Sequence, residues 1–115
     1  MKDTPIEIVW VTRGQTLFKD PAAVLSVGFD WADALVKTGA TMASSTWSVS
    51  SRDVGLRVEH ATVDARRTSV QLTGGESGQK FVLTNRVTTT SRTAATIDRA
   101  VVIAVVTGGL PNHAS

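Results

Sequence analysis

The chain has 115 residues, 42% of them hydrophobic, with 12 basic and 10 acidic side chains and a net charge of +2. That length fits one domain with an adequate core, and the apolar content argues against disorder. There is no cysteine, which removes disulfide staples and thiolate chemistry, and a near-neutral balance with 5% aromatics lacks the basic stripe of a nucleic-acid binder.

The first residues are the least committed. Ile6 to Val11 forms a short apolar run interrupted by Glu7 and followed by Arg13 and Gly14. It reads either as a first strand or as an arm that pairs with a neighbouring subunit, and it lacks the pattern of a secretory leader. Asp20-Pro21 suits either one helical turn or a loop leading into the next strand. From Val24 to Trp31, Leu25, Val27, Phe29 and Trp31 share one parity, which predicts a half-buried strand. Ala32 to Gly39 is too short for an independent helix and is read as a loop with one turn.

Ala40 to Ser50 is the next predicted strand, with Trp47 and Val49 on one side. Met42 falls out of step, which predicts a bulge or a bend at Ala43–Ser45. After a turn at Ser51–Gly55, Leu56–Glu59 alternates, and Ala61, Val63 and Ala65 continue it. The clearest signal follows. Residues 68–73 place Val70 and Leu72 inward, a Gly74–Gly78 turn intervenes, and residues 79–90 align Phe81, Leu83, Asn85 and Val87 on one face. Asn85 shares the apolar parity, so its amide is expected to be hydrogen-bonded to backbone. A last strand runs from about Ala94 to Val106. Its apolar run, Ala100–Val106, is far short of the roughly 20 residues a membrane-spanning helix needs.

About seven strands at roughly 10-residue spacing, rich in threonine, predict an all-β domain of two packed antiparallel sheets. The divisions are residues 1–17 as arm or first strand, 18–107 as the sandwich, and 108–115 as a flexible tail.

Side chains that could carry chemistry are sparse. His60 and His113 are the only histidines, and neither sits among Cys, His or carboxylate ligands at metal spacing. Asp30 and Asp33 flank Trp31, but are better read as turn-capping carboxylates beside an inward ring. The Gly74–Gly78 turn lacks the Lys-Ser/Thr pair and helix of a phosphate loop. The expectation is no enzyme and no cofactor or metal. Trp31 and Trp47 have core parity, whereas Trp10 suits the core, a subunit interface or a ligand platform. Ile6, Ile8 and Trp10 are therefore the candidate assembly interface. The strand 94–106 is apolar on both sides, so its outer face also calls for cover.

The string Asp20-Pro21…Leu25…Asp30-Trp31…Leu35, then Ser44-Ser45-x-Trp47-x-Val49, then Val70-x-Leu72-x-Gly74-Gly75-x-x-Gly78-x-x-Phe81-x-Leu83-Thr84-Asn85-x-Val87-Thr88-Thr89 resembles small proteins of tailed bacteriophages. These are encoded among head-completion and tail genes and described as fibre–tail adaptor or neck/tail structural proteins. The resemblance covers roughly residues 18–106 and implies an Ig-like β-sandwich. Phe81 stands where that family often has a tyrosine, and the usual glycine before the last strand is missing around Ser91-Arg92-Thr93. No catalytic residues are carried over. The resemblance implies a virion structural protein joining tail, neck, portal, capsid or fibre components, with copies of itself in a ring or array. The short apolar run argues against a membrane partner, and the dispersed charge makes nucleic acid an unexpected partner. The rival reading is a carbohydrate-binding or adhesive Ig-like module.

Overall fold

The computed structural model describes residues 8–12, 14–50, 55–90 and 96–108. They form eight strands and one helix: β1 (Ile8–Trp10), β2 (Thr16–Lys19), β3 (Leu25–Asp30), α1 (Ala32–Thr38), β4 (Thr41–Ser50), β5 (Leu56–Val63), β6 (Arg67–Gly74), β7 (Lys80–Thr90) and β8 (Thr96–Val105). The strands make two four-stranded sheets, β1-β3-β6-β5 and β2-β8-β7-β4. The chain is an all-β sandwich, as its alternation predicts.

Most pairings are antiparallel, but β1 runs parallel to β3 and β2 runs parallel to β8. The segment read as arm or first strand thus carries two short strands, one in each sheet. Between them Gly14, at φ 80°, donates its N–H to the Ala100 carbonyl at 2.9 Å.

The core lies between the sheets. Val27, Phe29, Val70 and Leu72 come from the first sheet; Leu17, Phe81, Leu83, Val87, Val101, Ile103 and Val105 come from the second. Trp31 closes it just past the end of β3 and is wholly buried. Leu25, Trp47 and Val49 pack against this core but remain half-buried. For Trp47 and Val49 the reason is position, since β4 is an edge strand and, among the described residues, no strand pairs with its outer side.

Two local readings need correction. Residues 32–38 form a helix rather than a loop with one turn. Leu35 is anchored in the core, and Gly39, left-handed at φ 65°, closes the last turn through its N–H. Tertiary burial offsets the nucleation cost that a seven-residue segment cannot meet alone. The strand β2 has no counterpart in the predicted set, because Lys19 occupies an inward position beside Leu17 and disguises the alternation. At Asp20-Pro21 the loop reading holds: the Ala23 N–H reaches the Asp20 carbonyl at 3.0 Å, and Asp20 Oδ1 accepts the Ala22 N–H at 2.8 Å.

The predicted irregularity in β4 is present, with the register shifting between Met42 and Ser44. A second shift, between Glu59 and Thr62 in β5, surrounds His60, which adopts φ 53°. The turn at 51–54, the turn at 91–95 with its missing glycine, and residues 109–115 of the tail, including His113, lie outside the described residues.

Candidate interaction surface

The β-branched and aromatic sequence Ile8-Val9-Trp10 suits a strand, and its alternation sends Val9 toward the core. Ile8 and Trp10 therefore stand on the outer face of the first sheet, in register with Ser26 and Gly28. Ile6 lies outside the described residues. Gly28 explains how the indole lies down: a Cβ there would sit 2.5 Å from Trp10 Cζ3 and 2.8 Å from the Thr68 carbonyl oxygen. Only glycine admits the ring at this position in the strand. The Arg67 guanidinium carbon lies 5.3 Å from the ring centroid, a cation–π contact. Trp10 nonetheless stays 45% exposed.

Beside it is a groove lined by Trp10, Val11, Asp30, Asp33, Ile97 and Arg99. Its charged groups are already committed. Asp30 Oδ1 accepts the Ala32 N–H at 2.9 Å and Oδ2 faces Arg67 Nε at 3.3 Å. Arg99 donates to Asp33 at 2.9 and 3.1 Å and to the Asp30 carbonyl at 3.0 Å, with its guanidinium carbon 4.3 Å above the Trp31 ring. The Ala32 N–H and then Arg67 hold the Asp30 carboxyl below the usual carboxylate range; Arg99 does the same for Asp33. The pair therefore stays ionised and bonded, consistent with capping carboxylates beside an inward tryptophan. Neither is a raised-pKa acid of the kind general acid catalysis uses.

Asn85 is wholly buried and ties the two sheets together. Its Oδ1 accepts from Trp31 Nε1 at 3.0 Å and from Thr68 Oγ1 at 2.6 Å. Its Nδ2 donates to Ser45 Oγ at 2.8 Å and to the Thr46 carbonyl at 3.0 Å. The indole can only donate and the carbonyl can only accept, so the amide has one consistent orientation. The expected backbone bond is present, along with three side-chain partners.

Two features escape a reading of the sequence. Lys19 is 2% exposed, and its ammonium donates to the carbonyls of Gly74, Asp20 and Pro21 at 2.7, 3.0 and 3.4 Å. Burial pushes its pKa below the usual lysine range, partly offset by the neighbouring Asp20. Arg99 matters through partners far away in sequence, on α1 and β3. For Trp10 the signal was available: a glycine inside an alternating strand marks a close approach.

His60 is exposed on β5, and among the described residues no group of three or more His, Asp or Glu side chains gathers to hold a metal. Trp31 is buried and Trp47 stacks on Phe29 with centroids 5.8 Å apart, so a row of exposed rings for sugar stacking does not form.

Residues 19–104 match the family model described as Podophage GP4 fiber-tail adaptor protein gp77. The chain belongs to that family. This fibre–tail adaptor protein is a structural component of the bacteriophage tail and of the virion. The matched span runs from the last residue of β2 to the penultimate residue of β8, so β1 and Trp10 lie before it. Among solved structures, the adaptor is similar to the cysteine protease inhibitor EhICP2 from Entamoeba histolytica. The TM-score is 0.50 at 9% identity, over 85% of this chain and 94% of that one, a likeness of fold alone. No curated protein matches the chain in sequence.

Proposed function

We propose that this adaptor holds a fibre on a podophage tail by binding neighbouring virion proteins at the edges of its sandwich, in several copies arranged as a ring or array. The observation that carries this reading is the family match across β3–β8. The mechanism is geometric: a rigid body fixes the distance and angle between two neighbours without making or breaking a bond. The strand order supports an Ig-like sandwich, with β3-β6-β5 in one layer and β8-β7-β4 in the other. The parallel β1–β3 pair departs from that pattern.

Ile8 and Trp10, with Ile6 before them, form the assembly contact. An aromatic ring held between Gly28 and Arg67 offers a large apolar area with little rotamer entropy left to lose on binding. Trp10→Ala tests it. The purified variant is expected to melt within a few degrees of the parent, because a half-exposed ring contributes little to folding. Phage carrying it are expected to lose the adaptor, its fibres, or both. Particles with a normal complement of adaptor and fibre would remove Trp10 from the contact. Fibres retained on particles that lack the adaptor altogether would remove the adaptor role itself.

A further inference from the structure

The outer face of the first sheet holds a second recess, which shares no residue with the groove beside Trp10. The irregularity in β5 builds it. Glu59 pairs with Gln71 and Thr62 with Ser69, so β5 carries one residue more than β6 over that step. Without the extra residue Thr62 would share the inward parity of Val58, which packs on the core. With it, Thr62 stands on the outer face and its hydroxyl bonds to that of Ser69. His60 falls at the shift and takes φ 53°, a left-handed conformation that few non-glycine residues adopt. The result is a groove of about 500 Å³ lined chiefly by Ile8, Ser26, His60, Thr62, Ser69 and Gln71. That volume lies in the range of small-molecule sites.

The lining includes no carboxylate, lysine or arginine, so it holds nothing to pair with a charged ligand drawn out of water. Three hydroxyls, the Gln71 amide and the His60 imidazole present donors and acceptors together, and Ile8 adds an apolar wall. Ser26 carries the argument furthest. It is 4% exposed, and its hydroxyl has no hydrogen-bond partner among the described residues. Buried hydroxyls are ordinarily paired, so one left open in the wall of a groove points to a partner from outside the chain. A peptide strand would bind through unpaired backbone, but β3 and β6 beneath the groove are interior strands bonded to neighbours on both sides. Side chains are what the groove offers, and hydroxyls and an amide beside an apolar wall match a molecule with hydroxyls around a C–H face. We propose that this groove binds a short neutral oligosaccharide, with Ser26 and Gln71 bonding its hydroxyls and Ile8 meeting its C–H face. Recognition of this kind needs no row of stacked rings.

Amide chemical shifts of the purified chain, recorded by two-dimensional NMR, test this with maltose, cellobiose, lactose and diacetylchitobiose. At least one of the four is expected to shift the backbone amides of Ser26, Thr62, Ser69 and Gln71 saturably, with a Kd on the order of 1 mM. Glycerol at the same concentration should not. Ser26→Ala and Gln71→Ala should each weaken that binding about fivefold, the worth of one hydrogen bond. Because the Ser26 hydroxyl has no partner to lose, Ser26→Ala should also melt no lower than the parent. No saturable shift at these amides from any of the four sugars would overturn the proposal, as would equal shifts from glycerol. Unchanged affinity in both variants would overturn it too, and so would a lowered melt of Ser26→Ala, which would show the hydroxyl already paired within the protein. The same shifts from a neutral Gly-Ser tetrapeptide would assign the groove to a peptide, and shifts from sialyllactose alone to an anion; either result would overturn it. The test needs only purified chain, so its failure leaves the adaptor reading standing.

Discussion

Replacing Asn85 by leucine keeps the size of the side chain and removes all four of its hydrogen bonds. The two to Oδ1 are wholly buried. Trp31 Nε1 retains Thr68 Oγ1 at 3.2 Å, but the Thr68 hydroxyl proton loses its acceptor between the sheets. The two bonds from Nδ2 are partly buried, so water restores some of their worth. One orphaned buried hydroxyl at about 1–3 kcal/mol, plus roughly 1 kcal/mol for the remaining losses, gives a cost of about 2–4 kcal/mol. At roughly 4 °C per kcal/mol for a domain of this size, the melting temperature should fall by about 8–16 °C. Urea unfolding followed by circular dichroism measures the cost directly. A cost for Asn85→Leu below about 0.5 kcal/mol would refute the inter-sheet tie.

Other expectations follow from the same packing. Lys19→Met leaves three carbonyls without their ammonium and should cost about 1–3 kcal/mol in denaturant unfolding; a variant as stable as the parent would show that those carbonyls find other donors. Gly28→Ala pushes a methyl into Trp10 and the Thr68 carbonyl, so it should lower stability by about 1–3 kcal/mol and speed amide exchange at residues 8–11. Unchanged exchange there would mean the ring is not held over Gly28. The carboxyls of Asp20, Asp30, Asp33, Asp64 and Asp98 are all depressed: at Asp20, Asp30 and Asp64 chiefly by backbone N–H groups, at Asp33 and Asp98 chiefly by arginines. Depressed folded values stabilise the protein above the unfolded carboxylate pKa and lose that effect as pH falls through them. The melting temperature should therefore stay level from neutrality down to about pH 5 and drop below about pH 4. A flat profile down to pH 2 would contradict the assignment.

How much of this was legible depended on whether the deciding contact was local. Residues 68–73 and 79–90 alternate cleanly because both strands are interior to their sheets, and burial follows parity at Val70, Leu72, Phe81, Leu83, Asn85 and Val87. Trp47 has the same parity signature, yet it is half-buried, because nothing in a strand's own alternation says whether a neighbour lies on both sides. β2 was hidden by one inward lysine whose acceptors come partly from Gly74, distant in sequence. α1 was hidden because its support is tertiary: Leu35 in the core and Arg99 on Asp33. At the candidate surface, residue type pointed to Ile8 and Trp10. That they stand on the outer face, with the ring across Gly28, depends on the parallel register with β3.

The proposed Trp10 contact belongs to the first sheet. β1 flanks β3 in the first sheet, whereas β4 ends the second sheet near β5. A body that sets the spacing between two neighbours must resist shear between its layers, and purely apolar packing between sheets resists sliding less specifically than directional bonds do. Here a continuous set of directional contacts crosses the core. Ser45 and Thr46 of β4 bond to Asn85, and Asn85 bonds to the Trp31 indole. Arg99 lies over that indole and bonds to the Asp30 carbonyl, while the Asp30 carboxylate meets Arg67 beneath Trp10. Sliding one sheet against the other by one residue, about 3.3 Å, would break the bonds from Trp31 and Thr68 to Asn85 together. The buried Asn85 therefore has a mechanical rationale: it fixes the layer that presents Trp10 against the second sheet.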